Sequence, residues 1–276
     1  MRARRRDGRR LDDPTRGGRP SVLESVGRVR GVATYTFDYS AHSLAWVTDP
    51  AIGPALAQAI ACVADRHARR VVVVAHSMGG LAAKFAQGQM IAGQSIAARI
   101  ARIITVGTPF EGAQLLSFAS GAGGVIFKEI SDAALSTCDR EDRQRRARTF
   151  CGLLGTTETP AVQAMIPGSA PLDALPPWQP HLARYPIAGD IDVTAGVFGL
   201  EQVFGVGDLA VSVDSAVADA SPGASPFVAV CNSSLFDLIS AIDDSPCSHT
   251  NELANRRIER RVRDLVRDAV RGRPTR

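Results

Sequence analysis

Residues 71 to 81 read V-V-V-V-A-H-S-M-G-G-L, and no other stretch limits the choice of fold so strongly. Four β-branched residues in a row predict a strand buried on both faces, because a parallel sheet covered by helices needs apolar side chains on each side. The apolar run stops at Ala75, and small residues flank Ser77 at positions 75 and 79. Beyond them Leu81, Phe85 and Met90 can share one helical face. Strand, tight turn and helix then follow one another, with the serine at the bend and its hydroxyl lifted above the sheet. Ser77 is the first candidate for a nucleophile. A Gly-rich turn with no chemistry is the competing reading, and partners elsewhere in the chain must decide between them.

The stretch resembles the nucleophile elbow of the α/β-hydrolase superfamily, and within it the lipase and esterase branch, including actinobacterial-type lipase-like proteins. Ala75 stands where the usual pattern has glycine. The resemblance implies a mostly parallel sheet flanked by helices, and an acid and a histidine that follow the serine in that order.

The chain has 276 residues, 45% of them apolar, enough for one large core. No run approaches the length of a membrane-spanning helix. The N-terminus is charged but has no apolar core of a secretory signal. Residues 1–30 and 256–276 hold 19 of the 32 basic residues but only 7 of the 28 acids, so the ends carry +12 and the body −8. An acidic body with arginine-rich ends argues against nucleic-acid binding as the main activity. The ends read as solvated tails, or as contacts for anionic lipid or polymer.

Met1 to Pro20 holds eight arginines and is expected to be disordered. Residues 21–271 form the hydrolase-like domain, and 272–276 a second tail. Val22 to Val29 predicts a short helix, Val32 to Phe37 a strand, and Pro50 to His67 a helix with Ile52, Leu56, Ile60 and Val63 on one side. Compared with the family, this looks like helix A, strand 4 and helix B ahead of the elbow. The family's strand 3, with the His-Gly loop that supplies one oxyanion N–H, should precede Val22, and residues 1–20 have no apolar run to replace it. The expectation is an N-terminally truncated sheet with a central gap, in a chain that lacks the start of a longer protein or whose start was placed too far downstream. Loss of one oxyanion donor costs about two to three decades in rate.

Ile100 to Val106 predicts a second buried strand, ending in Gly107, Thr108, Pro109, Phe110, Glu111 and Gly112. This resembles the lipase G-T-P-x-x-G loop beside the active site, so Thr108 and Pro109 join Met78 as loop and oxyanion candidates; an ordinary Pro-Gly turn is the alternative. Residues 113–183 read as a cap-like insertion, in which Leu115, Leu116, Phe118, Met165 and Ile166 line an acyl pocket or fill core. Strand patterning returns at Tyr185 to Val193 and at Phe198 to Val206, followed by G-D-L-A-V-S-V-D-S-A. That segment resembles the lipase acid loop, with Leu209 for its second glycine. The resemblance gives Asp208 the role of orienting the histidine, ahead of Asp190 and Asp214. Phe227 to Val230 is the last strand-like run.

Of the five histidines, only His249 follows the acid. It precedes a helix with Leu253, Ile258, Val262 and Leu265, and in the family order it is the general base. His76 adjoins the serine and cannot reach back to its hydroxyl. Cys138 with Cys151 and Cys231 with Cys247 are candidate disulfides, leaving Cys62 on an apolar helix face. The second pair would clamp the His249 loop and points to an oxidising compartment and a longer, secreted form. No metal-ligand spacing and no nucleotide loop is present, so neither metal nor cofactor is expected. These features predict a serine hydrolase for carboxylic esters of lipid or acyl type, using Ser77, Asp208 and His249. An acyltransferase on the same residues and a non-catalytic hydrolase-like binding protein are the alternatives.

Overall fold

Two layers of helix enclose a five-stranded sheet in the computed structural model, which describes residues 4–5, 21–114, 159–197, 200–222, 224–234 and 245–272. The strands are β1 (Val71–His76), β2 (Ile100–Val106), β3 (Ala183–Val197), β4 (Leu200–Gly205) and β5 (Phe227–Ser234). β1, β2, β3 and β5 are parallel in that spatial order. The lower half of β3 pairs with β2 from Ala183 to Ile187, and its upper half receives β4 in antiparallel register from Asp192 to Val197. β4 therefore folds back along the line of β2, and the chain leaving it at Gly207 returns to the upper end of β2.

Side chains alternate along β2, as the pleat requires. Ile103 packs with α2 (Gly53–His67) and α3 (Met78–Gln87), through Ala57, Ile60, Ala61, Ala83 and Ala86. Ile104 and Val106 face α1 (Val22–Gly27) and the last helix, α7 (Arg256–Val270), through Val22, Val26, Ile258, Val262 and Leu265. The α1 start carries a reciprocal cap in which Glu24 N–H donates to Ser21 Oγ at 3.4 Å and Ser21 N–H to Glu24 Oε2 at 2.8 Å. Asn255 caps α7 by accepting from Arg257 N–H at 2.8 Å and Ile258 N–H at 3.4 Å. Three short helices, α4 (Pro160–Ala164), α5 (Ala170–Asp173) and α6 (Val213–Val217), lie between.

Several expectations need correction. The valine run is not buried on both faces: Val71 to Val73 are half-buried and Val74 is 36% exposed. The physical reason is position, since among the described residues β1 pairs only with β2 and its other edge meets no strand. The stretch expected as a strand at Val32 to Phe37 does not join this sheet. Only Tyr35–Thr36 is extended, and it pairs with Arg4–Arg5 within the segment expected to be disordered. The elbow helix ends at Gln87, so Met90 lies beyond it and is 61% exposed. Cys62 is exposed on α2 rather than on its apolar face.

Met165 is buried in the core beside Val162 and Leu172, and Ile166 packs at its margin. Leu115, Leu116, Phe118, Cys138 and Cys151 lie outside the described residues. Cys231 and Cys247 form a disulfide with Cα atoms 5.9 Å apart, tying the loop before His249 to β5. The bridge closes a span of 16 residues, for which loop-closure entropy contributes roughly 3 kcal/mol. Replacing both cysteines with serine is expected to lower the unfolding free energy by about that amount, read from urea denaturation midpoints. An unchanged midpoint would mean that the surrounding packing alone holds the loop.

Candidate active site

The turn at Ser77 is built from three constraints. Ser77 N–H donates to Val106 O at 3.0 Å, so the β1–β2 ladder holds the serine to its last residue. Its backbone then takes φ 54° and ψ −135°, a conformation that costs an L-residue energy and that Gly80 and Thr108 help retain. Gly80 N–H and Thr108 Oγ1 both donate to the Ser77 carbonyl, at 2.9 and 3.1 Å. Thr108 is fully buried and so close to α3 that a Cβ on Gly80 would lie 2.1 Å from its Oγ1. A Cβ on Gly79 would meet nothing nearer than Tyr39 Oη at 3.7 Å.

The two glycines of the motif thus have unequal roles. Gly80→Ala is expected to displace Thr108 and destabilise the turn, whereas Gly79→Ala leaves it intact. Melting temperatures of the two variants check this, and equal losses would contradict it.

Asp208 occupies the turn that returns from β4. Gly207 begins it at φ 67°, where a Cβ would sit 2.3 Å from Val211 O. Leu209 follows at φ 78°, a left-handed conformation that glycine adopts far more easily. The Asp208 side chain is buried, and its Oδ1 accepts from the N–H groups of Ala210 and Val211 at 2.9 and 2.7 Å. Asp190 braces the turn from β3, its Oδ1 accepting from Gly207 N–H at 3.0 Å, while burial raises its pKa. Asp214 is exposed in the first turn of α6.

His249 arrives from the far side, where its N–H donates to Asp208 O at 2.9 Å and joins the two loops backbone to backbone. Its Nδ1 lies 2.8 Å from Asp208 Oδ2 and its Nε2 lies 2.8 Å from Ser77 Oγ. Three side chains from positions 77, 208 and 249 thus form one continuous line of hydrogen bonds at the upper end of the sheet.

Met78 is the first residue of α3, and the N–H groups of a helix's first turn have no partner within the helix. Pro109 is buried in the loop after β2, takes Gly112 N–H on its carbonyl at 3.1 Å, and has no N–H of its own to offer. Thr108 acts on the turn through the Ser77 carbonyl.

Two residues stand beside this line that sequence reasoning missed. Glu252, in the short helical turn three residues after His249, is fully buried, with Oε1 3.7 Å from His249 Nδ1. His76 Nε2 lies 3.0 Å from that same Oε1. The i, i+3 spacing of His249 and Glu252 before a helix was a usable signal. Nothing in the linear sequence tied His76 to position 252.

Burial and the neighbouring Asp208 charge raise the Glu252 carboxyl well above the usual carboxylate range, against the pull of His249. Burial depresses the basicity of the His249 ring, but the Asp208 charge and hydrogen bond, with Glu252 behind them, more than offset it and push its pKa up to about 9.

Residues 55–145, about a third of the chain, match the family described as the PGAP1-like alpha/beta domain. The chain is similar to the crystal structure of the Bacillus licheniformis lipase BlEst2 in mature form, at 16% identity and a TM-score of 0.43, covering 80% of this chain and 75% of that one. For the propeptide form of that lipase the identity is 18% and the TM-score 0.39, over 76% of this chain and 41% of that one. For the Staphylococcus hyicus lipase the values are 14% and 0.38, over 75% and 72%. Comparison with curated proteins gave no match.

Proposed function

We propose that this chain, an α/β-hydrolase-type protein, is a serine hydrolase that cleaves carboxylic esters of lipid or acyl type through an acyl-enzyme on Ser77. The single observation carrying this reading is the unbroken hydrogen-bond line from Asp208 through His249 to Ser77. In that line His249 Nε2 accepts the Ser77 proton as Oγ attacks the acyl carbonyl, and then passes it to the leaving alcohol. Asp208 Oδ2 accepts the Nδ1 proton and stabilises the imidazolium. The Met78 N–H, at the positive end of the ten-residue α3, is the oxyanion donor. Water then repeats the sequence on the acyl-enzyme. Thr108 and Pro109 form the loop wall that keeps the serine turn in place.

A raised His249 pKa gives the pH dependence a definite sign. Protonated His249 cannot take the serine proton, so kcat/KM is expected to climb from neutral pH to a plateau above about 9. The same interaction contributes stability that is fully present below the ordinary histidine pKa of 6.5 and is lost as pH rises through about 9. A pH–rate profile with its limb near 6.5 would contradict this account of the site's charge.

The disulfide supports an oxidising, extracellular-type compartment. Among the described residues no helix is long and apolar enough to cross a membrane. A panel of p-nitrophenyl esters of increasing acyl length, run with and without an alcohol acceptor, tests the reading. Release of p-nitrophenol with water as the final acceptor is expected. Product formed only by transfer to the alcohol identifies an acyltransferase, and no turnover of any ester rejects the hydrolase.

A further inference from the structure

His76 and Glu252 have no step in the reaction above, yet they crowd the edge of the His249 ring that faces away from Ser77. His76 Nε2 lies 3.0 Å from Glu252 Oε1 and 3.1 Å from the His249 carbonyl. Glu252 Oε1 lies 3.7 Å from His249 Nδ1, and His76, His249 and Glu252 each offer one ligand atom, all within 4.8 Å of one another. The floor beneath them is bare because residue 107 is glycine: a Cβ there would lie 2.0 Å from Glu252 Oε1 and 2.9 Å from Asp208 Oδ2.

We propose that His76, His249 and Glu252 form a binding site for Zn2+, and that the bound ion takes His249 Nδ1 from Asp208. Two imidazole nitrogens and one carboxylate oxygen, with a fourth position left for water, are a donor set zinc takes readily; calcium and magnesium prefer oxygen alone. Tetrahedral zinc with bonds near 2.1 Å sets its ligand atoms about 3.4 Å apart. The separations of 3.0 and 3.7 Å bracket that value. The His76 side chain is 28% exposed and gives the ion a route from solvent. The two histidines are 173 residues apart, which is why no linear spacing announces the site.

Proton balance gives the consequence for catalysis, a consequence that rests on the hydrolase reading. Zinc at Nδ1 displaces the proton held towards Asp208, and that proton is taken up at Nε2 through solvent, while any proton on His76 Nε2 or Glu252 leaves to solvent. The ring stays neutral with its one N–H at Nε2, where it donates and cannot accept the Ser77 proton. No electrons are transferred, and removing the ion restores the original tautomer.

Zinc binding is measured by competition with a chromophoric chelator on the metal-free full chain, and inhibition by ester turnover relative to each variant's own zinc-free rate. The expected result is one equivalent of zinc bound with micromolar or tighter affinity, at least tenfold weaker in Glu252→Gln and in His76→Asn, each folded by circular dichroism. Ser77→Ala binds zinc as the unmodified chain does, and excess Mg2+ does not compete. Turnover falls at least tenfold at saturating zinc and returns with EDTA. No stoichiometric binding overturns the site, as does binding or inhibition that neither the Glu252 nor the His76 substitution weakens. Binding with the expected dependence in a chain that hydrolyses no ester upholds the metal site and rejects the hydrolase reading instead.

Discussion

Ser77→Ala is expected to lower hydrolysis of an activated ester by about four to six decades, and adding His249→Ala to it is expected to cost almost nothing more. Both results follow from one hydrogen bond, the 2.8 Å contact between Ser77 Oγ and His249 Nε2. A hydroxyl without a base is a poor nucleophile, and a base without its hydroxyl has nothing to activate, so the two losses overlap rather than add. Purified single and double variants assayed side by side give the comparison. A double variant far slower than either single one would show that the two groups act in separate steps.

Asp208→Asn is expected to cost about three to four decades in kcat while leaving the loop in place. The argument rests on the other oxygen of the carboxylate. Oδ1 already receives the N–H groups of Ala210 and Val211, so an asparagine keeps its carbonyl oxygen there and turns its amide NH2 towards His249. That NH2 donates to Nδ1 and forces the ring's proton onto Nε2, the tautomer that cannot accept from Ser77. The loss is therefore chemical rather than structural. Near-native thermal stability above pH 9, where the His249–Asp208 charge contribution is already lost, with greatly reduced kcat is the expected pair of readings, whereas a variant that unfolds readily there would assign Asp208 a mainly structural role.

Much of the sheet was legible because its strands announce themselves. Ile100 to Val106 is read from the sequence with the boundaries the structure gives it, and the helix before β1 differs only at its start. The valine run misled on its own burial, since composition reports what a strand is suited to and not whether a neighbour covers its second edge. The Tyr35–Thr36 segment misled for a related reason: its alternation fits a strand in any sheet, and pairing partners are a long-range property.

Within the candidate site, Ser77, Asp208 and His249 are legible through their resemblance to lipase motifs and the chain order those motifs imply, because Ser77 and Asp208 sit in turns whose local sequence is distinctive. Glu252 did not emerge. Its burial depends on Gly107 and Gly189, glycines distant in sequence that leave room for its carboxylate, and on His76, whose partner is 176 residues away. Asp190 likewise falls within the Tyr185 to Val193 strand pattern as a competing acid, while its actual task, holding Gly207 N–H, depends on the fold-back of β4 that no local pattern reveals.

The most direct measurement is to treat the intact chain with a fluorophosphonate and to map the adduct by peptide mass spectrometry. The mechanism predicts one modification, on Ser77, lost in Ser77→Ala and slowed by orders of magnitude in His249→Ala. A folded chain that takes up no label, or takes it up on another residue at an undiminished rate in both variants, would contradict the assignment of Ser77 as an activated nucleophile.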